Sequence, residues 1–185
     1  MLRYALPLIF SAPMAFAECP TKADLTAGIE FTLDDGGTEL HRVNRPDWVQ
    51  VLAKFPNEET TLLDSYLGLY LFSSVPVVNN LPKLTDIFMY SNDADIAKWP
   101  YPAAGKTWTN PTETGGTAVA GDEKQFTLSD CTYTIFDISL TFAEDTTYTE
   151  TFRYFPDLGT SLLVATKDDQ GTERYQYVGI KAVGK

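Results

Sequence analysis

From Ile29 onward, apolar and polar residues alternate in short runs separated by turn formers. Ile29, Phe31 and Leu33 are interleaved with Glu30, Thr32 and Asp34, the period-two signature of a half-buried strand. Asp35-Gly36-Gly37 then supplies residues that tolerate the positive φ of a tight hairpin, and a return strand is expected over about Thr38–Asn44. Arg45-Pro46-Asp47 turns the chain into Trp48–Phe55, where Val49, Val51, Ala53 and Phe55 share a face. After Pro56-Asn57-Glu58, strands over Thr60–Asp64 and Tyr66–Ser74 complete a five-strand meander. The run Tyr66-Leu67-Gly68-Leu69-Tyr70-Leu71-Phe72 is apolar on both faces, which predicts a strand near the centre of the core.

Periodicity is lost between Asn79 and Pro111, where prolines recur at 82, 100, 102 and 111. Leu84–Tyr90 reads as either a short helix or a strand, inside a connection long enough to be functional or mobile. Hairpins resume with Gly105-Lys106-Thr107-Trp108 and a turn at Thr114-Gly115-Gly116. Thr117–Leu128 should pair through Ser129-Asp130 with Cys131–Phe142, placing Thr134, Phe136, Ile138, Leu140 and Phe142 on one face. Thr146–Phe155 follows, with Tyr148, Phe152 and Tyr154 facing together, then Leu162–Lys167 and Thr172–Ile180 around Asp168-Asp169-Gln170-Gly171. The expected fold is all-β: about ten antiparallel strands in two meanders forming a curved half-barrel or sandwich, with little helix.

Residues 1–17 break this pattern. Arg3, the apolar stretch Tyr4–Phe10 and the small residues of Ala15-Phe16-Ala17 read as a secretory signal cleaved before Glu18. Glu18 before Cys19 does not suit lipid attachment, and the stretch is shorter than the roughly 20 apolar residues of a membrane helix. One domain over 18–185, delivered to the periplasm, is the expectation. In an oxidising compartment the even cysteine count predicts a Cys19–Cys131 disulfide, with a chain-entropy contribution of up to about 4–5 kcal/mol.

The net charge of -11 disfavours nucleic acid and anionic membrane surfaces as partners, since both are engaged through lysine and arginine. It favours a soluble, acidic module. The sole histidine, His41, lies between Leu40 and Arg42 with no nucleophile elbow in the chain, and reads as an exposed strand residue. One histidine and two paired cysteines furnish neither a zinc nor a haem ligand set. Asn92-Asp93-Ala94-Asp95 comes closest to a calcium loop, but lacks its glycine and distal glutamate and equally suits a helix cap before Ile96. No glycine-rich phosphate loop joins a strand to a helix. No catalytic residue, metal site or cofactor is therefore expected.

The remaining unusual feature is aromatic content, 13 % of the chain, with Trp99, Tyr101 and Trp108 grouped around the proline-rich connection. These three either cap an open end of the core or line a ligand-binding surface. The second half carries Gly105-Lys106-Thr107-Trp108, a cysteine-bearing strand, Arg153-Tyr154-Phe155-Pro156-Asp157-Leu158-Gly159 and Tyr175-Gln176-Tyr177. In these it resembles exported bacterial β-domain proteins of unassigned function and, more loosely, the curved sheet of periplasmic lipoprotein carriers. The carriers' long helices have no counterpart here outside Leu84–Tyr90. The leading expectation is a non-enzymatic periplasmic module that binds an apolar small molecule or a protein partner. The alternatives are a structural component of an envelope assembly, or a hydrolase of envelope glycans using two carboxylates about 5–9.5 Å apart, one with a raised pKa.

Overall fold

The computed structural model describes residues 18–91, 96, 98–111 and 115–184. Residues 1–17, where a secretory signal is expected, and Asn92–Asp95 lie outside the described residues. Two antiparallel sheets make up the molecule, as the alternation predicts. The first meander is β1 (Ile29–Leu33), β2 (Thr38–Arg45), β3 (Trp48–Lys54), β4 (Thr61–Tyr66) and β5 (Tyr70–Val78), with each strand hydrogen-bonded to the next. Two short strands, β6 (Leu81–Pro82) and β7 (Phe88–Met89), both pair with β5. A 3-10 turn over Leu84–Asp86 separates them, so Leu84–Tyr90 is part helical turn and part strand.

The second sheet contains β8 (Thr107–Thr109), β9 (Thr117–Ala120), β10 (Lys124–Leu128), β11 (Cys131–Thr141), β12 (Thr149–Phe155), β13 (Thr160–Lys167) and β14 (Thr172–Arg174). What reads as one strand from Thr117 to Leu128 is β9 and β10, interrupted at Gly121–Glu123, both paired with β11. The last hairpin also divides: β14 stays with β13, whereas β15 (Tyr177–Ala182) crosses over and pairs with β1. The chain end thereby ties the second half of the sequence to the first sheet.

Three readings of the strands need correction. Tyr66–Ser74 is not one strand, because Leu67 and Gly68 adopt left-handed φ of 56° and 64° and close a tight hairpin between β4 and β5. Gly68 is required there: a Cβ would stand 2.6 Å from Thr160 Cα, since the hairpin loop presses on the start of β13. Thr134 does not share the Phe136 face; it hydrogen-bonds Gln125 on the exposed side, while Ile135 and Phe136 are consecutively buried in different clusters. His41 is not exposed at all, with only 1 % of its surface accessible. The β1–β2 register sets His41 opposite Ile29 and Glu39 opposite Phe31, so these two polar residues take inward positions and Leu40 faces the other way.

The core consists of two clusters, each drawing on both sheets. One joins Trp48, Tyr66, Tyr70, Phe72 and Trp99 to Phe136, Ile138, Leu140 and Tyr154. The other joins Leu25, Ile29, Phe31 and Leu33 to Tyr133, Ile135, Phe155, Leu158 and Leu162. Each fully buried large side chain contributes about 1.5–3 kcal/mol relative to exposure. The Cys19–Cys131 disulfide is formed, with Cα atoms 5.5 Å apart, and Tyr133 donates its hydroxyl to the Pro20 carbonyl at 3.0 Å. Together they hold the N-terminal segment so that Leu25 fills the second cluster. Among the described residues, no helix is long and apolar enough to cross a membrane.

Candidate functional site

The three aromatic residues singled out in the sequence go to three environments around one hairpin. Trp99 is buried, with its ring centroid 5.9 Å from Tyr66 and 5.4 Å from Tyr70, both edge-on. Tyr70 donates its hydroxyl to the Pro100 carbonyl at 2.8 Å, which straps the proline-rich connection over the core. Burial pushes the Tyr70 phenol well above its usual range, and the neighbouring Trp108 indole opposes that push. Trp108 is half-buried against the first cluster. Tyr101 is 63 % exposed and donates to Asp47 Oδ2 at 3.1 Å. Trp99 and Trp108 thus converge on Tyr70, and Tyr101 does not join them.

Beyond this cap, the Tyr66–Tyr70 hairpin meets the end of β11 and the start of β12, leaving a cleft of about 210 Å3. Its walls are mainly aromatic: Tyr70, Tyr90, Phe142, Tyr148 and Phe152, with Leu69, Leu71 and Leu140 between them. Local chemistry sets each wall. Alternation along β12 sends Tyr148, Glu150 and Phe152 to the same side, with Tyr154 continuing into the core. The β11–β12 turn is fixed by Asp145, whose Oδ1 accepts from the Thr147 N–H (3.0 Å), the Thr147 hydroxyl (2.6 Å) and the Tyr148 N–H (3.2 Å). Those bonds hold the Asp145 carboxyl below its usual range. The turn brings the Phe142 and Tyr148 rings to 5.6 Å. On the opposite wall, Tyr90 is positioned by a 3.3 Å contact between its hydroxyl and Ser74 Oγ and by the Phe88 ring at 4.7 Å.

Phe88 links the cleft to an apolar strip on the surface. Val78, Leu81, Leu84, Ile87, Phe88 and Met89 are all exposed, with Leu81 at 71 % and Phe88 at 59 %. Asn79 and Asn80, both at positive φ, form the turn that folds β6 back onto β5 and projects this strip. Scattered apolar residues are ordinary on a surface; six within twelve positions are a feature that needs an occupant or a purpose.

The polar groups of the cleft are few. Asn110 is buried at its floor. Glu150 accepts a hydrogen bond from the Tyr148 hydroxyl at 3.2 Å. Burial pushes the Glu150 carboxyl above its usual range, and the Tyr148 bond only partly offsets that. The Tyr148 phenol is likewise pushed up, first by burial and then by the Glu150 charge. Among the described residues, Glu150 is the one carboxylate that lines this cleft, and none completes the acid pair that two-carboxylate hydrolysis requires.

A second constellation has the outline of a catalytic relay. With the ring proton on Nε2, His41 accepts from the Thr160 hydroxyl at Nδ1 (2.8 Å) and donates to Glu39 Oε2 (3.0 Å). Tyr177 donates to the other Glu39 oxygen at 2.9 Å. Hydroxyl, imidazole and carboxylate in line would suit nucleophilic chemistry if a substrate could reach the hydroxyl. Thr160 is fully buried, however, and the His41 ring packs edge-on against Phe31 at 4.8 Å. The relay therefore ties β2 to β13 across the two sheets. It approaches solvent through Glu39 and Tyr177, at the edge of a wider groove of about 410 Å3 lined also by Asp34, Asp35, Glu58 and Glu173.

Among the described residues, no group of three or more histidine, cysteine, aspartate or glutamate side chains is placed to hold a metal ion. The chain matches no protein-family model, no curated protein and no solved structure.

Proposed function

We propose that this protein is an exported, non-enzymatic binding module that receives an apolar small molecule in the cleft between the Tyr66–Tyr70 hairpin and the β11–β12 turn. The observation that carries the reading is a cavity walled by five aromatic rings and three leucines, opening at the edge of the first core cluster. Burial of a ligand's apolar surface would release about 25 cal/mol per Å2. The cleft is smaller than the roughly 300–1,000 Å3 of a typical drug-sized site, which suits a single ring or an alkyl chain whose remainder lies along the strip. Trp99 and Trp108 act behind the wall, holding Tyr70 in place, rather than touching the ligand. The disulfide supports delivery to an oxidising compartment, and the signal-like first seventeen residues support the periplasm.

The test is titration with the environment-sensitive dye N-phenyl-1-naphthylamine. Saturable fluorescence enhancement is expected for the wild type, weakened at least about tenfold by Leu71→Arg, which puts a charge on the half-buried wall. Equal enhancement with L71R, or none with the wild type, would remove the reading.

The exposed strip favours a second reading, a protein partner docked over Val78–Met89. That reading expects a partner to copurify with the wild type and to be lost with Leu81→Ser/Phe88→Ser, while dye binding in the cleft persists.

A further inference from the structure

Two other carboxylates of limited exposure are compensated by nearby groups. Asp137 is bound by Arg153 Nε at 2.9 Å and by the Lys124 ammonium, and Glu39 is held by His41 and Tyr177. Glu150 differs from both. Among the described residues it has no salt bridge, and the Tyr148 hydroxyl is its one side-chain hydrogen bond. It also occupies the position on β12 where the flanking alternate residues, Tyr148 and Phe152, are aromatic. A leucine there would extend the apolar wall at no electrostatic cost. A carboxyl at the edge of low-dielectric surroundings costs stability unless something completes its coordination.

From this placement we infer that Glu150 is the head-group recognition residue of the cleft, and that the ligand class is an apolar chain or ring carrying a primary ammonium group. The inference rests on the cleft being a ligand site. An ammonium offers three N–H donors, which matches a carboxylate with open lone pairs beside the Tyr148 hydroxyl. The aromatic walls suit it too, because a cation gains from ring faces when water is excluded. The overall charge of -11 would concentrate cations near the protein and hasten their entry. A ligand carboxylate would meet like charge at Glu150. An alcohol would satisfy only part of the acceptor capacity.

The experiment compares decylamine, decanol and decanoate, each below its micellar concentration, as competitors of N-phenyl-1-naphthylamine on the full secreted chain. Decylamine is expected to bind at least about tenfold more tightly than decanol, the increment of a hydrogen bond to a charged partner, and decanoate most weakly. In Glu150→Gln the amine-to-alcohol ratio is expected to collapse to near one. A second measurement needs no variant: the methylene next to the ammonium should show nuclear Overhauser contacts to the Tyr148 ring. Equal affinities for all three compounds would overturn the head-group inference while leaving the cleft as an apolar site. So would an amine preference that survives E150Q, which would reflect the net charge alone. Failure of every compound to compete would overturn the ligand reading itself.

Discussion

Replacing His41 by leucine removes the centre of the relay that joins the sheets. Leucine keeps an apolar body against Phe31 but offers nothing to Thr160 or Glu39. The Thr160 hydroxyl loses its 2.8 Å acceptor, and Glu39 keeps Tyr177 alone. An orphaned buried hydroxyl costs about 1–3 kcal/mol. Taking the imidazole N–H away from the buried Glu39 carboxylate forfeits a hydrogen bond to a charged group, about 1.5–3 kcal/mol. The two losses together put the expected cost of H41L at about 3–5 kcal/mol. The double variant Glu39→Leu/His41→Leu no longer strands a carboxylate and should cost clearly less than the two single losses added, with a coupling of about 1–3 kcal/mol. Urea unfolding followed by tryptophan fluorescence measures this well, since Trp48 and Trp99 are both buried in the other cluster and report global unfolding. If H41L lies within about 0.5 kcal/mol of the wild type, the scale of a neutral surface change, the relay is not a structural tie. Simple additivity would equally refute the argument.

Gly68→Ala should lose about 2–5 kcal/mol by denaturant unfolding, combining the cost of a left-handed alanine with contact against the backbone of Thr160 and Gly159. Reducing the disulfide, or changing Cys19 and Cys131 to serine, should lower stability by up to about 4–5 kcal/mol, because the bond closes a loop spanning 112 positions; the shift in unfolding midpoint reads it directly. Burial alone would push the Asp137 carboxyl upward, but Arg153 and Lys124 outweigh it and hold it below the usual range. Its stabilising contribution is therefore complete above the unfolded-state value and is lost as pH falls through the lower folded value. Asp137→Asn should be less stable at neutral pH and show a shallower loss of stability on acidification, measured by thermal melts across the acid range.

Turn chemistry made most of the hairpins readable. Asp35-Gly36-Gly37, Ser129-Asp130 and Asp168-Asp169-Gln170-Gly171 each carry residues that accept positive φ or cap their own loop, and each closes a hairpin. The Leu67-Gly68 turn was hidden because leucine rarely takes left-handed φ, and this one is compensated by packing and by its N–H bonding to the Asp47 carbonyl at 2.6 Å. The inward face of β2 was hidden for a related reason. His41 reads as an exposed strand residue, and its burial beside Glu39 is made tolerable by their mutual bond together with Thr160 and Tyr177, both more than a hundred positions away. Strands β11 and β12 change clusters at Ile135/Phe136 and Tyr154/Phe155, so a single alternating phase could not describe either. The aromatic group around the proline-rich connection was legible, but its role as a strap over Tyr70 depends on the Pro100 carbonyl. The cleft itself draws Tyr90 and Tyr148 from opposite halves of the chain, and no local pattern joins them. Glu150 could have been noticed, as the one acidic residue in the alternation Tyr148, Glu150, Phe152, Tyr154.

Methyl-resolved NMR during titration with decylamine tests the binding claim most directly, because the leucines are divided between the sites. The methyls of Leu69, Leu71 and Leu140 in the cleft should shift saturably, while those of Leu25, Leu158 and Leu162 in the second cluster stay in place. Shifts confined to Leu81 and Leu84 on the exposed strip, or none at all, would contradict the account.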